Sequence, residues 1–266
     1  MKKTFALLAL TAALVAPLSA HAHRAWLVPT STVLSGSEAW VGFDAGMSNG
    51  VFIADHAAMR LDGLTITAPD GSTAQDANRH QARYRSSFDL HLTQPGTYRV
   101  ANVTSGFMVT YTENGEQKRW RGAEADYPAA IPAGATDVQA TRTAGRTETF
   151  VTLGEPNETA LTPTGKGLEL VPVTHPNDLV AGEAASFKLL KDGQPASDVE
   201  VTVARGGTRY RDNPEEITVK TGADGAFSVT WPQAGLYWLG ASVRTPGADG
   251  QPASNAGYNL ALEVLP

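Results

Sequence analysis

The sequence contains no cysteine. That one absence excludes disulfides, thiolate metal sites, a cysteine nucleophile and a lipid-anchored cysteine together. Beyond the first twenty residues it also lacks any apolar run near the roughly 18 residues that a membrane-spanning helix needs. Positive charge is in the minority, with Lys+Arg 21 against Asp+Glu 27, and no basic stripe collects it. Nucleic acid is therefore not an expected partner, whereas an acidic surface suits solubility and cations. No H-E-x-x-H and no phosphate-cradling glycine loop occurs, so no enzyme is expected and no catalytic residue is assigned. After residue 22 no segment holds a helical period either.

What is present begins with an export signal. Lys2 and Lys3 supply a charged start, and an apolar run from Phe5 to Val15 is broken only by Thr11. Pro17 and small residues follow, completing the layout of a secretory signal. Cleavage after Ala22 uses Ala20-His21-Ala22 and leaves His23 first. Cleavage after Ala20 leaves His21 first and His23 third. Both routes put a histidine at the front of a periplasmic chain. Lys2 and Lys3 are the only charges lost with residues 1–22, so the formal net charge moves from −6 to −8.

A terminal histidine offers a metal both its α-amine and its ring, closing a chelate that no internal histidine can close. A third-position histidine behind a free amine suits square-planar Cu(II) or Ni(II). Deprotonating an amine of pKa about 7.7–8.0 costs roughly 1 kcal/mol at pH 7. That is small beside the roughly 10 kcal/mol of a tight metal site.

The remaining 244 residues (23–266) read as all-β, in two β-sandwich domains. Aromatic and β-branched residues mark strands at Trp26–Leu34 and Ala39–Asp44, and Tyr84–Leu92 alternates, with Phe88, Leu90 and Leu92 on one side and Asp89 and His91 on the other. Asn114-Gly115 predicts a two-residue hairpin turn. Residues 72–83 read as loop, and residues 122–145 as a long surface excursion before a strand at Arg146–Leu153. Gly154 to Gly165 (GEPNETALTPTG) has the composition of a linker. It divides a first domain, 23–153, from a second, 166–266. The second holds about seven short strands separated by turns such as Lys191-Asp192-Gly193 and Ala223-Asp224-Gly225, the pattern of a sandwich.

In the second domain, Lys191-Asp192-Gly193-Gln194-Pro195-Ala196, Thr221-Gly222-Ala223-Asp224-Gly225-Ala226-Phe227 and Ala234-Gly235-Leu236-Tyr237-Trp238 resemble the prealbumin-like, or Ig-like, type of sandwich module. Across the mature chain, His23-Arg24-Ala25-Trp26-Leu27-Val28-Pro29, Asp55-His56, Ala68-Pro69-Asp70-Gly71, Arg83-Tyr84-Arg85-Ser86 and the run from Gly167 to Leu179 resemble the bacterial periplasmic domain-of-unknown-function family 4198. That family was once labelled a nickel-transport subunit family, so the resemblance implies a periplasmic β protein associated with metal uptake. Where its pattern has Ser-Asn-Asp, this chain has Ser48-Asn49-Gly50.

Three histidines are candidate ligands for a divalent transition metal, nickel, copper or cobalt: His23 at the processed end, His56 and His175. Asp55 could orient His56 by hydrogen bonding, and His175 is held extended by Pro176. The bland readings are an exposed end, a loop-edge histidine and a structural residue at the domain junction. His91 with Asp89 reads as a solvated face, His80 as surface, and Trp26, Trp40, Trp231 and Trp238 as core. The expected role is a periplasmic metal-binding protein serving uptake or delivery, with a membrane transporter or outer-membrane receptor as partner. The rivals are a scaffold module that presents loops to such a partner and a copper oxygenase built on the terminal histidine.

Overall fold

The computed structural model describes residues 23–248 and 251–266; the expected export signal, with His21 and Ala22, lies outside the described residues. The first half carries β1 (Arg24–Pro29), β2 (Val33–Leu34), β3 (Ala39–Ser48), β4 (Ala57–Ala58), β5 (Leu64–Thr67), β6 (Thr73–Ala74), β7 (Asp76–Gln81), β8 (Ser86–Leu92), β9 (Gly96–Glu113), β10 (Glu116–Gly122) and β11 (Thr136–Leu153). The second carries β12 (Leu168–Pro172), β13 (Ala184–Lys191), β14 (Gln194–Pro195), β15 (Glu200–Arg205), β16 (Ile217–Lys220), β17 (Ala226–Thr230), β18 (Gly235–Thr245) and β19 (Ala253–Val264). Among the described residues, helical turns are confined to short stretches at Glu124–Ala130, Thr159–Leu161 and Thr208–Tyr210. The protein is all-β, as its alternating pattern predicts.

Three sheets build two cores. A sheet ordered β1-β3-β8-β7 turns Leu27, Val41, Phe43, Phe88, Leu90 and Leu92 inward against Ile66, Tyr98, Val100, Val151 and Leu153. A smaller sheet of β12, β13, β14 and β17 packs Leu170, Phe187, Leu189, Phe227 and Val229 on Val203, Tyr237, Leu239, Tyr258 and Leu260. The opposing wall is common to both cores. It is one ten-stranded sheet running β16-β15-β18-β19-β11-β9-β5-β6, with β10 also paired to β9 and β2 to β11. β11 pairs antiparallel with β9 and parallel with β19, and Arg146 to Leu153 are buried without a break. A strand covered on both faces loses its alternation: Val151 and Leu153 join the first core, and Phe150, just before them, joins the second. The 154–165 stretch is packed, with Leu161 in the second core and Asn157 donating to Pro69 O at 2.8 Å.

Three expectations need correction. Residues 76–81 form the edge strand β7 rather than a loop; both of its faces are largely exposed, so no apolar pattern announces it. Residues 136–145 belong to β11 rather than to a surface excursion, paired with β9 from Thr136 and with β19 as well from Thr141. Trp40 is 58% exposed rather than core, because Val41 and Phe43 take the inward positions of β3 and period two sends Trp40 outward. Trp40→Ala is accordingly expected to cost less than about 1 kcal/mol. Trp231→Ala, fully buried, should cost about 3–5 kcal/mol; urea unfolding of the two variants checks the contrast.

Where the halves join, the wall encloses an ionic cluster. Arg146 lies 3.4 Å from Glu148 and 3.2 Å from Glu169, all three buried. The Tyr258 hydroxyl donates to Glu148 at 2.6 Å. Glu169 accepts from the Thr164 amide and hydroxyl and from the amides of Gly165 and Lys166.

Candidate metal centre

β1 pairs with β3 in the register Arg24↔Ser48, which brings the start of the described chain beside the end of β3. Its side chains divide by period two. Ala25 and Leu27 enter the first core, while Trp26 and Val28 face the second half of the chain in a small cluster with Val51, Phe52, Ala204 and Trp238. Trp26 donates its indole N–H to Ser48 Oγ at 2.8 Å and meets Phe52 edge-on at 6.2 Å. It covers Gly46, where a Cβ would come within 2.7 Å of the ring, so only glycine fits. Arg24 pairs with Glu216 and lies 5.0 Å over the Trp238 ring.

The residues between β3 and β4 fold into a tight loop. Asp55 Oδ1 accepts the Asn49 amide at 3.0 Å, Ser48 Oγ donates to Gly50 O, and Phe52 takes a left-handed φ of 58°. A Cβ at Gly50 would stand 2.7 Å from Ile53 Cδ1, the mobile end of a side chain that can turn aside. The loop's last residue, His56, stands across from His23.

The two rings stack, centroids 3.6 Å apart and planes 14° from parallel. Both residues are exposed. Among the described residues neither ring nitrogen of either histidine has a hydrogen-bond partner, so the nitrogen-bearing edges are open. Asp55 is occupied with Asn49 rather than orienting His56.

His175 lies elsewhere. Its Nε2 is 3.0 Å from Thr97 Oγ1, and its Nδ1 accepts the Asn177 amide at 3.2 Å. Asn177 in turn donates to Phe150 O and accepts from Thr152 Oγ1, so this turn is tied to β9 and β11. Burial, the largest influence, holds the His175 imidazole below its usual pKa despite the nearby Asp178 and Glu158 carboxylates. An Nδ1 that accepts an amide proton fits the neutral ring. The structure thus brings two of the three candidate histidines together and employs the third in packing. Among the described residues no group of three His, Cys, Asp or Glu side chains is placed to hold an ion.

His91 stacks on Trp40 at 4.5 Å and lies 3.2 Å from Glu38, while Asp89 accepts from Asn78. His80 is exposed. The sequence reading missed two features. Nothing local links Arg24 to Glu216, 192 positions away. Gly46-Met47-Ser48-Asn49-Gly50 also has the letters of a nucleophile elbow. Here the serine ends an antiparallel strand, is fully buried, and has its hydroxyl engaged by Trp26 and Gly50 O. Its hydroxyl therefore locks the end of the strand.

Fold and site together define a β-sandwich protein with two histidines stacked beside the start of β1. The chain belongs to the family described as a domain of unknown function, DUF4198, whose model matches residues 20–245. No curated protein matches it. Among solved structures it is similar to the D0-D1 domain of intimin, at 15% identity over 90% of this chain and 97% of that one with a TM-score of 0.23. It is also similar to trypsin-activated alpha-2-macroglobulin from Escherichia coli, at 12% identity over 90% of this chain and 16% of that one with a TM-score of 0.24. Likeness at this level carries no argument about function. Among the described residues no helix is long and apolar enough to cross a membrane.

Proposed function

We propose that the exported chain, cut after Ala22, is a periplasmic binding protein for a divalent transition-metal ion and serves uptake or delivery through a membrane transporter or receptor. The observation that carries this reading is the closeness of His23 and His56, two exposed rings with centroids 3.6 Å apart; a turn of the rings out of their stack aims one nitrogen of each at a shared ion. The processed end adds the His23 α-amine, making a set of three nitrogens without sulfur. Such a set favours Cu(II) over Ni(II) and Co(II), the order of intrinsic affinity for divalent ions. His175, with both ring nitrogens engaged, stays outside the donor set. The ion is cargo rather than a catalyst, and the exposed position of both rings suits release to a partner.

The test is a titration of protein secreted to begin at His23, followed by electron paramagnetic resonance. The expected result is one equivalent of Cu(II), bound with sub-micromolar affinity (on the order of 10 kcal/mol), and a spectrum of nitrogen ligation. Absence of bound copper with equimolar metal and protein at micromolar concentration contradicts the reading and leaves the scaffold role.

A further inference from the structure

We infer that the second half of the chain positions His23 for the ion, with Glu216 and Trp238 holding β1 by Arg24 and Ala25. The inference rests on the metal reading above.

His23 precedes the first paired residue of β1, so its placement depends on how firmly residues 24 and 25 are held. Both are held from the far half. The Arg24 guanidinium is paired with Glu216, and its side chain is only 12% exposed at the start of a strand. Trp238 lies beneath that guanidinium and donates its indole N–H to Ala25 O at 2.9 Å. A guanidinium stacked on an indole and closed by a carboxylate is a stiff arrangement, since its planar fork loses little freedom on pairing.

The support of His56 converges on the same segment. Phe52 lies against Gly206, where a Cβ would meet its ring at 3.2 Å, and Thr208 Oγ1 would be 3.1 Å from a Cβ at Gly50. Ala204 and Trp238 share a cluster with Trp26 and Val51. Each histidine therefore extends from a short lever whose other end is packed on β15, β18 and the loop between β15 and β16. The neighbouring acid, Glu215, is turned to Arg211 at 3.4 Å and has no part in the clamp. Glu216 and Trp238 are positioning residues, acting on the ion only through His23. Because coupling is reciprocal, a bound ion steadies the 204–216 segment in turn.

The experiment compares Glu216→Gln and Trp238→Phe with Glu215→Gln, which removes the same charge one residue away. All are made in protein secreted to begin at His23 and titrated with Cu(II) against a competing chelator. Glu216→Gln and Trp238→Phe should bind about 10- to 100-fold more weakly, the usual cost of losing a group that orients a metal ligand. Their copper hyperfine lines should broaden as His23 samples more positions, and Glu215→Gln should match the parent in both respects. Affinity within twofold of the parent and an unchanged spectrum in Glu216→Gln overturn the inference. Should the parent bind no copper, the metal reading fails separately. The clamp is then judged on ion-free protein by hydrogen exchange at Arg24–Trp26. Exchange several-fold faster in Glu216→Gln than in Glu215→Gln upholds it, and equal rates overturn it.

Discussion

His56→Ala is expected to weaken Cu(II) binding by at least about 100-fold, while His175→Ala leaves it within about twofold of the parent. The first loses one of two stacked rings, and each tenfold of affinity corresponds to about 1.4 kcal/mol, so two decades ask less than 3 kcal/mol of one metal–imidazole bond. The second loses only the bonds to Thr97 and Asn177, at about 1 kcal/mol each. Its effect should therefore appear in urea unfolding and not in copper titration. The His175 contribution also has a pH sign. Its folded pKa lies below the ordinary 6.5, so the stability it gives is present above that value and fades as pH falls through the lowered one. Equal losses of affinity in the two variants would contradict the placement of the site.

The other large effect concerns the joint between the halves. Arg146→Met should destabilise the protein at pH 7 by about 3–5 kcal/mol, because it leaves Glu148 and Glu169 buried without their shared cation. The two carboxylates differ in kind. Burial pushes Glu148 above its ordinary pKa in spite of Arg146 and the Tyr258 hydroxyl. Its favourable contribution is thus complete below the ordinary carboxylate range and is lost as pH rises through the raised value. For Glu169 burial acts the same way but is outweighed by hydrogen bonds from Thr164 and Gly165 and by Arg146, so its pKa is lowered. Its contribution is present above the ordinary range and is lost as pH falls through the lowered value. Glu148→Gln should therefore be near neutral or stabilising at pH 7, and Glu169→Gln destabilising. Urea unfolding at pH 7 and pH 5 separates them: Arg146→Met should regain part of its deficit at the lower pH.

Much of the fold was legible because local chemistry and long-range packing agree. Asp192-Gly193 and Asn114-Gly115 take the positive φ values that two-residue hairpins require, 51° and 78° in the first and 53° and 79° in the second. The β8 alternation places Phe88, Leu90 and Leu92 in the core and Asp89 and His91 outside, as read. What escaped has a common cause. β7 and the first part of β11 are exposed on both faces and carry no apolar period. The parallel ladder between β11 and β19 joins residues more than a hundred positions apart, so no local pattern specifies it. The histidines show the same limit. His56 closes an apolar run beside Asp55 and His175 sits between Thr174 and Pro176, and only the fold reveals that one meets His23 while the other is spent on Thr97 and Asn177.

The measurement closest to the central claim compares two forms of the chain that differ by one residue. One begins at His23, verified by mass spectrometry; the other carries a single methionine in front of it. Both are titrated with Cu(II) under the same competing chelator. If the processed amine and the His23 and His56 rings hold the ion together, the methionine form binds at least about 100-fold more weakly, having lost the amine chelate. Equal affinity in the two forms would remove the terminus from the site and contradict the account.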